Sequence, residues 1–334
     1  MTGTARPLDR FPLVRTQNAD EMCAALERIY AKPRLILAAG TKKVDTRIDH
    51  LPMNYVGLGT SEFGTDVTFA YMESNVVLQT FPLRGRGKAS LGKVVGALEP
   101  GHGVVASPGV NFTASLDSDY CTVLLLIKPR SLADKLAVLT ARPIDQPLRF
   151  EPLQDYAKPA AKALRDHVYS VVEMVNASPA SIPKFLLAEF EDSLAVSFLL
   201  ANSHNYSHLL RRPAAEAAPW QVHRAEEFIA GNWWQSMTAD ALAEATGVGA
   251  LDLFQTFRKR RGYSPWRFAR RVRLDRARDL LRQPNAATTV AGVAARCGFA
   301  DLGRFSGDYM AAFGERPSDT LRRGRGAAPP PEMA

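Results

Sequence analysis

Basic side chains are concentrated in one short stretch near the C-terminus. Residues 258–278 hold ten basic residues and one acidic residue, a local net charge of +9, whereas the whole chain carries +8. Such a density of guanidinium and ammonium groups suits contacts with the phosphates of nucleic acid. The alternative is a solvated helix face, although such faces usually interleave both signs of charge. The stretch therefore favours a nucleic-acid partner.

Residue patterns that would support catalysis are missing. His50 and His102 stand alone, so the β-forming half lacks the His-x-His pair and carboxylate of a metal site. Gly85-Arg86-Gly87 resembles a phosphate loop only superficially, and we interpret it as a hairpin. There is no Gly-x-Ser-x-Gly elbow and no Cys/His pair. We expect no enzyme activity, no metal and no cofactor.

Length and composition indicate two domains. At 334 residues the chain exceeds one ordinary core. No apolar run approaches the roughly 20 residues of a membrane span, and the N-terminus lacks the apolar segment of a secretion signal, so we expect a cytoplasmic protein. Cys23, Cys121 and Cys297 lie far apart, which argues against disulfides and zinc sites.

The chain changes pattern in its middle. Residues 34–127 read as short alternating segments between turn clusters, as in an antiparallel β-sandwich or barrel. Tyr156 to Val175 and Ile182 to Leu200 have helical spacing, and the Pro- and Ala-rich segment 211–219 predicts a linker. From Trp220 onward the pattern is helical until a Pro- and Gly-rich tail. The fold class predicted is α+β.

An internal repeat with an offset of about fifty residues lies in the C-terminal part. A small residue lets two helices approach, a glycine permits the turn between them, and two bulky residues four apart pin the second helix to the core. Ala243, Gly247, Leu253, Phe257, Gly262 and Pro265 recur as Ala294, Gly298, Phe305, Tyr309, Gly314 and Pro317. We predict two helix-turn-helix units joined by one long helix, Trp266 to Arg282. A helical bundle with coincidental glycine spacing is the alternative.

These segments carry a longer signature. It comprises Arg273-Leu274, Ala277-Arg278, Leu280-Leu281, Val293-Ala294, Cys297-Gly298-Phe299, Leu302-Gly303-Arg304-Phe305-Ser306, Tyr309, Phe313-Gly314-Glu315, Pro317-Ser318 and Leu321-Arg322. On these residues the segment 220–323 resembles the DNA-binding domain of the AraC/XylS family of bacterial regulators. The first half resembles the sensor domain of the XylS-like branch at Phe11-Pro12-Leu13-Val14, Pro82-Leu83-Arg84-Gly85, Ser107-Pro108-Gly109, Arg142-Pro143 and Pro147-Leu148-Arg149-Phe150.

The resemblance implies a transcriptional activator controlled by a small-molecule effector, with double-stranded DNA, RNA polymerase and a second copy of the chain as partners. The effector implied is a small aromatic acid or a related metabolite. The predicted domains are a cupin-like effector-sensing β-domain at 1–152, a helical dimerisation pair at 153–210, a linker at 211–219, the DNA-binding domain at 220–323 and a disordered tail at 324–334.

The predicted DNA contacts lie in the basic stretch and on the outer face of the second helix of each helix-turn-helix unit. Gln255 and Arg258 can hydrogen-bond to bases, whereas Leu251 and Phe254 can touch thymine methyls or pack on the first domain. The second unit shows mostly glycine, serine and methionine, so we expect it to position the backbone. The full set is Ala250, Leu251, Phe254, Gln255, Arg258, Lys259, Arg260, Arg261, Arg267, Arg270, Arg271, Leu302, Gly303, Arg304 and Ser306.

Two further sets are predicted in the first half. Aromatic side chains on alternating positions could line a pocket, with Arg47 as a carboxylate partner, although core packing is the alternative role for each. They are Tyr55, Phe69, Tyr71, Phe81 and Phe112. A wide apolar stripe predicts a dimer contact at Phe185, Phe190, Leu194 and Phe198.

Two other functions stand as alternatives. An enzyme-regulator fusion with a reactive cysteine would need clustered cysteines, and this chain has none clustered. An architectural DNA-binding protein would not need a large β-domain, and a cavity in that domain would argue against it.

Overall fold

The computed structural model describes residues 6–37, 43–72, 74–140, 142–178, 182–210, 217–235, 237–299 and 301–326. The chain divides into two compact units. Unit 1 comprises Met1–Asn176 with Phe190–Arg212, and unit 2 comprises Ala177–Glu189 with Pro213–Ala334.

Unit 1 is built on two antiparallel sheets. One has the strand order β1-β3-β4-β11-β6-β9-β12 and the other β2-β5-β10-β7-β8. The strands are β1 (Pro12–Thr16), β2 (Arg34–Leu37), β3 (Thr46–Pro52), β4 (Val56–Glu62), β5 (Val67–Tyr71), β6 (Val77–Arg84), β7 (Gly87–Leu91), β8 (Val94–Leu98), β9 (His102–Ala106), β10 (Phe112–Leu116), β11 (Cys121–Ile127) and β12 (Leu153–Asp155). The predicted antiparallel β-domain is confirmed.

Alternation along the strands fills the core of unit 1. On β5, Val67, Phe69 and Tyr71 are buried and the residues between them are half-exposed. On β10, Phe112 pairs with Tyr71 and Ala114 with Phe69, so the buried faces of the two strands coincide. A shift of one residue would turn both apolar sets outward, which is why the pattern determines this register.

The Gly85-Arg86-Gly87 segment is not a hairpin. It joins β6 of one sheet to β7 of the other, so the prediction was wrong. Gly85 has φ +70, and a Cβ there would lie 2.5 Å from the Cα atom of Tyr120. Only glycine allows the chain to cross so close to that backbone.

Two helices of the first half were not predicted, α1 (Ala19–Ile29) and α2 (Pro129–Thr140). Asn18 caps α1 by accepting the Asp20 N–H at 2.8 Å, and Asp20 and Glu21 suit the positive end of the helix dipole. The cap and the spacing of Met22, Ala25, Leu26 and Ile29 were a readable signal.

Two longer helices follow the sheets, α3 (Pro159–Ala177) and α4 (Lys184–Ala201). Leu194 and Phe198 of α4 are 0% exposed, and the Phe198 ring lies 5.0 Å from that of Phe150. Phe190 is buried as well. Because these side chains are already covered within one chain, they have no surface to offer a second copy, and the predicted dimer stripe is wrong at these positions.

The remaining helices are α5 (Ser207–Leu210) in unit 1 and, in unit 2, α6 (Pro219–Gly231), α7 (Ala239–Thr246), α8 (Ala250–Arg261), α9 (Pro265–Arg282), α10 (Val290–Arg296), α11 (Leu302–Phe313) and α12 (Pro317–Gly326). Residues 211–216 of the predicted linker and 327–334 of the predicted tail lie outside the described residues. Residues 324–326 are helical, so the structured part extends three residues beyond the predicted boundary. In the described ranges no helix has both the length and the apolar character to cross a membrane.

Candidate nucleic-acid interface and internal cavity

Helix α9 contributes to two separate cores of unit 2. It has 18 residues, which is about 27 Å at 1.5 Å per residue. Ala269 near its start packs in the cluster that contains Phe257, and Leu281 near its end packs in the cluster that contains Phe305. The predicted long helix between the two units is confirmed.

The two helix-turn-helix units share one frame. Gly247 and Gly298 both adopt left-handed backbone angles, with φ +67 and +80, and they form the turns after α7 and α10. Thr238 and Thr289 cap these helices through their hydroxyls. The predicted core pairs are 0% exposed; they are Leu253 with Phe257 in α8 and Phe305 with Tyr309 in α11. The sequence repeat is a structural repeat.

Helix α8 exposes fewer of the predicted contacts than expected. Gln255 and Arg258 are exposed, whereas Ala250 and Leu251 are 0% and 6% exposed. Phe254 is half-buried, with its ring 4.5 Å from that of Trp266. The predicted thymine contact of Leu251 is therefore wrong, and base contacts from α8 fall to Gln255 and Arg258.

Helix α11 presents a smooth outer face. Leu302 and Met310 are 40% and 45% exposed, and Gly303 is exposed between them. The half-buried Ser306 donates its hydroxyl to the Leu302 carbonyl at 2.8 Å, and a Cβ at Gly307 would meet open space. Arg304 is exposed on the same helix. This face offers few hydrogen-bonding groups.

Ion pairs inside unit 2 occupy some of the predicted phosphate contacts. Arg261 makes two hydrogen bonds to Glu226, at 2.6 and 2.8 Å. Arg270 pairs with Asp308 of α11. These guanidinium groups tie helices together, so phosphate contact is not their first role.

Other basic side chains are exposed at the surface. Arg258 and Arg267 are exposed and, within the ranges that the structure describes, make no ion pair. Arg271 is exposed, 3.5 Å from Asp275. Lys259 and Arg260 are also exposed, at the end of α8. The exposed basic surface is therefore the end of α8 with the start of α9.

Arg273, counted in the basic stretch, is buried. Its Nη1 donates to Glu189 Oε2 at 2.6 Å, and its Nε donates to the Trp233 carbonyl at 3.0 Å. Glu189 also accepts the Met237 N–H at 2.8 Å. The guanidinium lies 5.4 Å from the ring centroid of Phe185, so the aromatic side chain predicted as a dimer contact packs on this buried ion pair instead.

The interior of unit 1 contains a cavity of about 60 Å³. Of the predicted effector residues, Phe69, Tyr71 and Phe112 line it. Among the lining residues that were not predicted are two tyrosines: Tyr30 follows the unpredicted α1, and Tyr120 precedes β11. Alternation along β11 could have revealed Tyr120, because Thr122, Leu124 and Leu126 also line the cavity.

The other predicted effector residues lie elsewhere. Arg47 pairs with Asp9 and Asp49. Phe81 stacks on Tyr156 with ring centroids 5.2 Å apart. Tyr55 is half-buried and is absent from the cavity wall. A strand places alternate residues on opposite faces, so an aromatic side chain on the right strand can still point away.

Burial disfavours the thiolate form of the three cysteines. It raises the pKa of Cys121 to about 12 and that of Cys297 to about 11. The pKa of Cys23 is also raised. Because the thiolate is the reactive form, these environments oppose nucleophilic chemistry. The described residues contain no cluster of His, Cys, Asp or Glu that could hold a metal ion.

Known proteins resemble parts of this chain. The "Probable thc operon regulatory protein" of Rhodococcus erythropolis is 29% identical over 209 residues, 61% of this chain and 63% of that protein. The "XylDLEGF operon transcriptional activator 3" of Pseudomonas putida is 36% identical over 118 residues, 35% of each chain. The solved structure of a probable AraC family transcriptional regulator from Rhodopseudomonas palustris CGA009 is 44% identical, covers 31% of this chain and 96% of its own, and has a TM-score of 0.30.

The matched segments span less than two thirds of the length of these two curated relatives. Two family models also match: a helix-turn-helix domain over residues 242–323 and an AraC-binding-like domain over residues 22–200. The second model alone spans more than half of the chain, and the first matches most of the repeated helix-turn-helix frame described above. The chain belongs to the AraC family of helix-turn-helix regulators with an AraC-binding-like domain.

Proposed function

We propose that this protein is a sequence-specific DNA-binding transcriptional regulator, acting as an activator in the cytoplasm, and that a small molecule bound in the β-domain controls it. The observation that carries the proposal is the pair of helix-turn-helix units on one continuous helix, with an exposed basic surface beside the first. Two recognition helices held about 34 Å apart can enter successive major-groove segments on one side of a duplex. RNA polymerase and a second copy of the chain are the further partners proposed.

The phosphate contacts proposed differ from those first expected. Lys259, Arg260, Arg267 and Arg271 are exposed at the end of α8 and the start of α9, and Arg258 is assigned to base contact. Arg261 and Arg270 lie against carboxylates and are left out of the set. Four phosphate contacts correspond to a slope of roughly −4 in a plot of log binding constant against log salt concentration, since each contributes about −0.9.

Fluorescence anisotropy with a duplex at several salt concentrations tests this surface. Arg267→Ala and Arg271→Ala should each flatten the slope by about 1. Arg165→Ala is the matched control, because Arg165 lies in unit 1 and pairs there with Asp166. A slope that neither variant changes would place the phosphate contacts elsewhere.

The cavity in the β-domain favours regulation over an architectural role, since a purely architectural protein needs no internal site. The raised thiol pKa values argue against an enzyme-regulator fusion that uses a reactive cysteine.

A promoter reporter distinguishes activation from repression by the sign of its response, and sedimentation of the full chain tests for a dimer. Sequence-independent binding in a site-selection experiment would contradict the proposal.

A further inference from the structure

The cavity between the sheets of unit 1 has a wall without charged side chains. Its lining is apolar or aromatic except for the hydroxyl groups of serine, threonine and tyrosine. The guanidinium of Arg47, which was expected to meet a carboxylate, is instead paired with Asp9 and Asp49. An ionised ligand would therefore lose its hydration with no opposite charge in the wall to compensate.

Two phenol groups in that wall lack hydrogen bonds. Tyr30 and Tyr120 are 9% and 1% exposed, and their Oη atoms have no hydrogen-bond partner among the described residues. The hydroxyls of Ser74 and Thr122 are near enough to offset part of the rise in pKa of these phenols. Neither hydroxyl has the geometry of a hydrogen bond with a phenol, and each donates its own proton to a main-chain carbonyl.

The two phenols stay protonated and can donate. Burial raises the pKa of Tyr30 to about 12 and raises that of Tyr120 as well. A buried donor without an acceptor is unfavourable, and a ligand that supplies the acceptor removes that cost.

Flat rings shape one side of the cavity. Tyr71 and Phe112 are stacked, with centroids 5.8 Å apart and planes 11° from parallel. Tyr30 meets Tyr71 edge-on at 4.9 Å. Such a wall packs best against a planar molecule. An apolar cavity of about 150 Å³ admits benzene, so the cavity of about 60 Å³ must widen for a ring.

We infer that this cavity binds a small, neutral, planar and largely apolar molecule with one hydrogen-bond acceptor, which receives a hydrogen bond from Tyr30 or Tyr120. The inference rests on the proposed function, because it names the effector class of the same β-domain. It replaces the aromatic acid that the family resemblance implied. An uncharged aromatic ketone, ester or amide has the required chemistry.

Isothermal titration calorimetry of the full chain at neutral pH, with three probes of similar size, tests the inference. Acetophenone is neutral with an acceptor, benzoate is its charged counterpart, and ethylbenzene lacks the acceptor. We expect acetophenone to bind roughly two- to tenfold more tightly than ethylbenzene, the equivalent of one net hydrogen bond. Benzoate should bind more weakly than either.

Tyrosine variants identify the donor. Tyr30→Phe or Tyr120→Phe should lower acetophenone affinity by the same factor, leave ethylbenzene affinity unchanged, and leave the Tm of the unliganded protein unreduced, because the hydroxyls are unpaired there. Tyr156→Phe is the matched control. Its hydroxyl donates to the Thr80 carbonyl, so its loss should lower Tm without changing the relative affinities of the probes.

Three results would each overturn the inference. Benzoate could bind as tightly as acetophenone, acetophenone affinity could be unchanged in both tyrosine variants, or no neutral probe could bind. Anisotropy with DNA, measured in parallel with and without each probe, separates the two failures. If DNA binding is sequence-specific but the protein binds benzoate more tightly than acetophenone, only the proposed ligand class is contradicted. Sequence-specific DNA binding that is absent both with and without every probe contradicts the proposed function, whichever probe binds.

Discussion

The two helix-turn-helix units have the same frame and different faces. Gln255 and Arg258 on the outer face of α8 correspond to Gly307 and Met310 of α11, 52 positions further along in each case. The end of α8 is basic, whereas α11 has no basic residue in its last turn. The first unit offers hydrogen-bonding side chains to a duplex, whereas the second offers mainly glycines and apolar side chains.

Their surroundings differ as well. The turn glycine of the first unit, Gly247, has open space around it, whereas a Cβ at Gly298 would lie 2.8 Å from the Phe185 ring. That ring also packs on the buried Arg273, which pairs with Glu189. The two copies of the repeat therefore share the spacing needed for folding, while their exposed positions and their neighbours differ.

Breaking the buried ion pair should have the largest effect. Glu189→Ala leaves Arg273 buried without its carboxylate and should lower the unfolding free energy of unit 2 by about 3–5 kcal/mol. Denaturation followed by tryptophan fluorescence measures this, because all four tryptophans lie between residues 220 and 266. Glu226→Ala is the control at the exposed Arg261 pair and should change stability little. Equal losses would contradict the distinction.

Adding a methyl group at each turn compares the two units directly. Gly247→Ala should cost about 1–2 kcal/mol, because a residue with a Cβ resists left-handed backbone angles. Gly298→Ala should cost about 1–3 kcal/mol more, because the methyl meets the Phe185 ring. Phe185→Leu in the Gly298→Ala background should recover most of the excess in the same fluorescence assay. Equal costs at both glycines would show that Phe185 does not restrict the second turn.

Base readout should differ between the two recognition helices. Gln255→Ala or Arg258→Ala should each cost about 1–3 kcal/mol against the preferred base, since each side chain is exposed and can hydrogen-bond to a base edge. Ser306→Ala should change specificity little, because the Ser306 hydroxyl donates to its own helix. Binding-site selection at one fixed salt concentration measures these effects. A motif reshaped by Ser306→Ala alone would move the readout to α11.

The smallest effect concerns the smooth face of α11. Gly307→Ala should raise the unfolding free energy of unit 2 by about 0.5–1 kcal/mol, since alanine favours helix over glycine and its methyl meets open space. Gln255→Ala at the corresponding position of α8 is the matched control and should leave stability nearly unchanged. If Gly307→Ala stabilises the unit but weakens DNA binding, the bare backbone at this glycine approaches the duplex closely.

Sequence patterns determined the elements whose spacing is local. The sequence predicted the repeat, the long helix α9, the core pairs of α8 and α11, and the alternating strands of the β-domain. Each could be predicted because apolar residues recur along the sequence at the period of a helix or a strand. Helix α1 was missed although its cap and apolar spacing were readable, and Tyr30 of the cavity was missed with it.

Only the tertiary structure decided the partners of the long side chains. Nothing local distinguishes Arg273, buried against Glu189, from Arg267, exposed and without an ion pair in the described part of the chain. Arg47 and Phe81 likewise carry suitable chemistry but point away from the cavity. The charge and shape of a side chain are properties of the sequence, whereas its burial and its partner depend on segments far away along the chain. The sequence therefore indicated a DNA-binding surface and an internal site, and the packing of distant segments decided which residues form each.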